Sequence, residues 1–108
     1  MSHEYKLVFG DTTSASKVMK KIKGSDACIR AQQPGDLYLK DQSLNSSADY
    51  DARLIYESGS VLWLQVNFKS LNLYQTLLSA LGDSDYRCLE EGDDEVPLKD
   101  AFRIKGNV

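Results

Sequence analysis

Residues 52–82, ARLIYESGSVLWLQVNFKSLNLYQTLLSALG, carry two periodicities in succession. Ala52–Glu57 and Val61–Lys69 alternate and are rich in strand formers, the pattern of two β-strands. Ser58-Gly59 between them suits a tight hairpin turn, because glycine takes a positive φ without steric cost. In the second strand Leu62, Leu64, Val66 and Phe68 share one face, and Trp63, Gln65 and Asn67 share the other, so the first set is expected to face the core. At Ser70 the period changes. Ser70 is a good N-cap, and Tyr74, Leu77, Leu78 and Leu81 fall at i, i+3, i+4 and i+7 on a helix over 71–81 that Gly82 ends. A hairpin followed by an amphipathic helix predicts a helix packed on a sheet.

The flanking sequence extends the same scheme. Glu4–Gly10 alternates and predicts a first strand. Asp11-Thr12-Thr13-Ser14 offers N-cap candidates for a helix from Ser14 to Lys23, with Val18, Met19 and Ile22 as its buried stripe and Gly24 as its stop. Ala27–Ala31 reads as a short strand, Pro34-Gly35 as a turn and Asp36–Lys40 as a further strand. Gln42–Asp49 is polar throughout and is expected to be a flexible loop. Tyr86–Glu90 reads as the last strand and Glu91–Glu95 as an acidic turn. Pro97, expected at the first helical position, then opens a short helix with Leu98, Ala101 and Phe102 on one side. The order is β-α-β-β-β-β-α-β-α. The expected fold is a single α+β domain over 1–108, with a mixed or antiparallel sheet of about five to six strands, two main helices packed on it and a short C-terminal helix.

Composition fits that scale. A chain of 108 residues builds one core, and 42% apolar with 27% charged residues is ordinary for a globular protein. Cys28 and Cys88 each sit in an apolar stretch, DACIR and YRCLE, and are expected as buried core residues and not as an implied disulfide. The opening MSHEYKLVFG has neither the basic nor the apolar segment of a secretory signal, and no run approaches the ~20 apolar residues of a membrane span. A cytoplasmic location away from the membrane is the expectation.

Most catalytic chemistries lack their residues. The sole histidine is His3, close to the first residue, where a general base or a zinc ligand is hard to hold. Ser14-Ala15-Ser16-Lys17 has S-x-x-K spacing but lacks the companion K-T-G, and a capped helix start explains it. Gly10–Ser14 lies where a phosphate-binding loop would, yet Ala15 and Ser16 occupy the required Gly and Lys positions. The acids of 90–95, Asp49/Asp51 and Asp83/Asp85 do not meet the calcium-loop pattern. No cofactor, no metal and no enzymatic activity are expected.

Charge is uneven within a net −3. From Lys17 to Arg30, five bases (Lys17, Lys20, Lys21, Lys23, Arg30) stand against Asp26; from Asp83 to Glu95, seven acids stand against Arg87. Direct nucleic-acid binding is not expected, because the chain is acidic overall and its lysines do not interleave with aromatics. An acidic protein-binding surface is the stronger candidate.

Size, net acidity and residues 51–95, DARLIYESGSVLWLQVNFKSLNLYQTLLSALGDSDYRCLEEGDDE, resemble the immunity proteins of bacterial contact-dependent growth inhibition and related polymorphic toxin systems. That resemblance implies a cytoplasmic antitoxin that binds a cognate toxin domain, often a nuclease with a basic cleft, and blocks its active site. The expected contact residues are Asp83, Asp85, Glu90, Glu91, Asp93, Asp94 and Glu95, with an exposed Tyr or Trp63 as anchor. The lysine-rich first helix is the rival surface, and a monomer is expected over an oligomer. The alternatives are another binding module, such as a phage-encoded inhibitor or an adaptor pairing through an edge of the hairpin, and a small enzyme using Lys, Tyr or carboxylate groups.

Overall fold

The computed structural model describes residues 3–33 and 35–104; Pro34 of the expected Pro34-Gly35 turn therefore lies outside the described residues. Six strands, β1 (His3–Phe9), β2 (Cys28–Gln33), β3 (Asp36–Leu39), β4 (Ala52–Ser58), β5 (Val61–Val66) and β6 (Tyr86–Leu89), form one sheet in the order β2-β3-β4-β5-β1-β6. Every neighbouring pair is antiparallel. The helices are α1 (Thr12–Lys23), α2 (Leu71–Leu81) and the short α3 (Leu98–Ala101). The element order and the α+β class are those expected from the sequence, and the sheet is antiparallel throughout. No helix among the described residues is long and apolar enough to cross a membrane.

Alternation decides which face each strand buries. Leu7 and Phe9 of β1, Leu37 and Leu39 of β3, Leu54 of β4, Leu62, Leu64 and Val66 of β5 and Cys88 of β6 all point to one side and are buried. Ala15, Val18, Met19 and Ile22 of α1 and Leu73, Tyr74, Leu77, Ala80 and Leu81 of α2 close over them. Leu98, Ala101 and Phe102 complete the layer, with the Phe102 ring 5.9 Å from that of Tyr74. The buried stripe of α2 sits one residue to the side of the expected one, so Leu78 is only half-buried and Ala80 replaces it.

Both long helices are crossovers between strands that run in the same direction. α1 leads from β1 to β2 across four strand spacings, ~19 Å at the usual ~4.8 Å each. Its 12 residues span ~18 Å, and residues 10–11 and 24–27 on either side of it supply the rest of the path back to the start of β2. Its start lies by the β4–β5 turn, where a Cβ on Gly59 would meet the Thr12 methyl at 4.0 Å, and its end leads into β2 at the sheet edge. α1 begins two residues earlier than the sequence pattern indicates, because Asp11 is the cap: its Oδ1 accepts the amides of Thr13 at 3.0 Å and Ser14 at 2.7 Å. Ser70 caps α2 as expected, accepting the Leu73 amide at 3.0 Å.

Several expectations need correction. Phe68 does not join the core and is 42% exposed. β5 ends at Val66, and beyond it the Asp51 carbonyl accepts the amides of both Asn67 and Phe68, so the regular ladder stops there. The hairpin turn is Gly59-Ser60, with Ser58 still paired to Val61. Neither hairpin strand is an edge, since β4 and β5 lie inside the sheet. Pro97 is the cap of α3 and not its first helical residue. Cys28, on the edge strand β2, is only half-buried, whereas Cys88, on the opposite edge strand β6, is buried; both thiols are free.

The polar segment between β3 and β4 is tied into the structure. Lys40 Nζ donates to the carbonyls of Ser46 and Ala48 at 2.7 and 2.9 Å. The fully buried Asp51 accepts from the Asp41 amide at 2.9 Å and from the Ser46 hydroxyl at 2.5 Å. Asp41, also buried, accepts from the hydroxyls of Ser70 and Ser43 at 2.7 Å each and from Asn72. Burial opposes charge on Asp41, but hydrogen bonds from Ser70, Ser43 and Asn72 outweigh it and hold the carboxyl down at about 2. This knot fastens the loop to the cap of α2.

Two outcomes follow from this packing. In urea unfolding, Leu64→Ala is expected to cost about 2–5 kcal/mol, whereas Phe68→Ser is expected to stay within ~0.5 kcal/mol. For Asp41 the folded carboxyl lies below its ordinary 3.8, so its contribution is complete above that value and is lost as pH falls through about 2. A carboxyl-detected NMR titration should find the Asp41 midpoint near 2, and Asp41→Asn should cost about 1–3 kcal/mol at neutral pH.

Candidate functional site

The strand register separates the seven expected contact acids into two groups. β6 runs antiparallel to β1 with Phe9 opposite Tyr86 and Lys6 opposite Leu89. Asp83 and Asp85 therefore lie at the end of β1 that leads into α1, and Glu90–Glu95 lies near its beginning. The four residues of β6 keep the groups apart by ~13 Å. Asp85 packs at Gly10, where a Cβ would come within 3.0 Å of its carboxylate, so the lack of a side chain at Gly10 accommodates it.

The second group sits on a tight turn. The Asp93 amide donates to the Glu90 carbonyl and the Glu90 amide to the Asp94 carbonyl, both at 2.9 Å. Glu95 then bridges back to Leu89, and the Val96 amide bonds the Cys88 carbonyl. Two residues take positive φ here, Gly92 at 90° and Asp93 at 64°. Glu90, Glu91, Asp93, Asp94 and Glu95 are all exposed. Two have basic neighbours: Lys6 approaches Asp93 at 3.4 Å, and Arg87 approaches Glu95 at 3.2 Å. Both pairs are solvated and contribute little to stability.

This turn forms one wall of a groove of about 720 Å³ that His3, Glu4, Lys6, Trp63 and Leu89 also line. Trp63 is half-buried on the sheet face away from the helices. Its indole N–H donates to Glu57 at 2.7 Å, and Lys6 Nζ lies 5.5 Å from its ring centre. The expected anchor thus stands beside Glu90–Glu95 and away from Asp83 and Asp85. On the same open face Arg53 forms a two-pronged pair with Asp36 at 2.8 and 2.7 Å and lies 5.3 and 5.9 Å from the rings of Tyr38 and Tyr50. The Asp36 bonds outweigh burial and raise the Arg53 pKa. Alternation could place Arg53 and Tyr38 on one face of their strands, but only the strand order makes them neighbours.

The other sequence motifs have structural roles. The start of α1 is occupied by the Asp11 carboxylate, which also accepts from the Ser14 hydroxyl at 3.2 Å, so an anion would meet a negative charge there. Lys17 of the S-x-x-K spacing is exposed on α1. Among the described residues no three His, Cys, Asp or Glu side chains converge to hold a metal ion. Burial, together with the carboxylates of Asp100, Glu90 and Glu95, pushes the Cys88 thiol up to about 12.

The chain matches no protein-family model, no curated protein and no solved structure.

The thiols give a direct check of this edge of the sheet. With a thiol-specific disulfide reagent at pH 8, Cys28 should react in the folded protein, while Cys88 should react only after unfolding. Fast modification of Cys88 in the native state would mean that the β6 turn opens.

Proposed function

We propose that this chain is a binding protein of the immunity type, which captures a basic toxin domain of nuclease character and blocks its active site. The observation that supports this most is the display of Glu90, Glu91, Asp93, Asp94 and Glu95 on one hydrogen-bonded turn, all exposed. Such an array can occupy cationic positions that serve substrate phosphates in a nuclease. Because the turn is held by backbone bonds to β6, little ordering is required when it binds. Trp63 beside the turn supplies an aromatic surface of the kind that anchors interfaces. Asp83 and Asp85, about 13 Å away, widen the negative field more than they add to one contact.

The test looks beside this chain's reading frame for an encoded basic toxin domain, whose absence would count against the immunity reading, and pairs the two proteins. Glu91→Lys with Asp94→Lys should slow association about tenfold or more at low salt, while the wild-type rate should fall steeply as salt is added. Trp63→Ala should instead raise the dissociation rate. Unchanged affinity and association rate in the double variant would reject the acidic turn as the contact. Failure of the wild-type chain to protect growth against that toxin domain would reject the immunity reading itself.

A further inference from the structure

The groove beside Trp63 lies over β1, between a wall from β5 and a wall from the turn after β6. Strand register fixes that layout. Lys6 of β1 stands opposite Trp63 on one neighbouring strand and opposite Leu89 on the other. Two strand spacings, ~10 Å, therefore separate the backbones of Trp63 and Leu89. That width suits one long side chain lying between the indole and the turn. A cation of this chain already lies there. The Lys6 ammonium is 5.5 Å from the centre of the Trp63 ring and 3.4 Å from the Asp93 carboxylate, so it reaches both walls.

Lys6 does not balance the charge of the groove. Four carboxylates, those of Glu4, Glu90, Glu91 and Asp93, line the space together with this ammonium. Glu4 accepts from the neutral side-chain amide of Gln65 at 3.3 Å, and Glu90 and Glu91 form no ion pair among the described residues. Lys6 is also a weak occupant. Its pair with Asp93 is solvated, and its stem is flexible. An arginine fits the same space better. A planar guanidinium lies flat on an indole while its N–H fork meets a carboxylate, and an ammonium cannot do both as well.

We propose that this groove takes an arginine side chain of the basic partner, stacked on Trp63 and paired with Asp93, and that Lys6 holds the place in the free protein and swings out on binding. The proposal rests on the acidic turn being the contact surface, and it adds the side chain that the turn recognises. Lys6 covers the indole and offsets part of the negative charge while no partner is bound. Its departure gives up a solvated pair, so the exchange costs little. Lys6 thus opposes binding of a cation although it lies within the contact surface.

Trp63 is the sole tryptophan of the chain, so its fluorescence reports on the groove directly. The probe is the capped pentapeptide Gly-Lys-Arg-Lys-Gly, with two controls that carry lysine or the neutral isostere citrulline in place of arginine. The arginine peptide should change the Trp63 emission in a saturable way. The lysine peptide should bind about fivefold more weakly, and the citrulline peptide more weakly still. Lys6→Met keeps the apolar stem and removes the charge, and it should tighten binding of the arginine peptide about fivefold. Lys6→Arg seats a guanidinium from within and should weaken it. Asp93→Asn in the Lys6→Met background should reverse the gain, with the far-UV spectrum unchanged in all three variants. Equal binding of the arginine and citrulline peptides would overturn the cation site, and an unchanged or weaker affinity in Lys6→Met would overturn the exchange. No emission change at millimolar peptide in both wild type and Lys6→Met would overturn the proposal outright. Growth protection separates this result from the immunity reading: a chain that protects without answering the peptide loses the arginine site alone, and one that binds the peptide without protecting loses the immunity reading alone.

Discussion

Two crossovers of one handedness set the layout of this domain. α1 carries the chain from β1 towards one edge of the sheet, and α2 carries it from β5 towards the other. β1 and β5 themselves point in opposite directions. The two reversals cancel, so a single handedness places both helices on the same face, as the general preference for one hand of crossover leads one to expect. From that constraint comes a sheet with all its helical cover on one side. The apolar alternation of every strand then has one permitted register, because a slip by one residue would turn Leu62, Leu64 and Val66 out to water.

One-sided cover also explains the character of the other face. Residues between the buried positions cannot be uniformly apolar, because no layer shields them. Several of them are long amphipathic side chains that cover one another, with Arg53 beside Tyr38 and Tyr50 and Lys6 beside Trp63. The Arg53–Asp36 pair joins β4 to β3 on this face, much as Leu54 and Leu37 do on the other. Polar contacts here give the face a defined shape without closing it to a partner.

The local pattern was legible wherever a residue's environment depends on its own strand or helix. Leu62 to Val66, the cap at Ser70 and the stripe through Tyr74, Leu77 and Leu81 could be read because periodicity reports directly on burial. Phe68 could not, since the alternation runs on in sequence after the hydrogen-bonded ladder has stopped. Strand order was also out of reach, because alternation reports which face a strand buries and not which strands stand beside it. Asp41 and Asp51 look like ordinary loop residues until the fold brings Ser46, Ser70 and Asn72 to them. Among the expected contact residues, sequence proximity made the seven acids look like one patch. Four residues of β6 divide them, because an extended strand carries the chain far for its length.

The placement of α1 has one more consequence. Its lysine-rich end leads into β2, while the turn after β6 carries five acids, and five strand spacings, ~24 Å, separate the two edges. Positive and negative charge are thus gathered at opposite ends of a small body whose net charge is only −3. Such a body behaves as an electric dipole directed across its strands. In the field of a charged macromolecule it experiences a torque that turns a chosen edge forward before any contact is made. Orientation is thereby partly settled during diffusion, and the same fold that hides its apolar residues on one face also aims the molecule along a perpendicular axis.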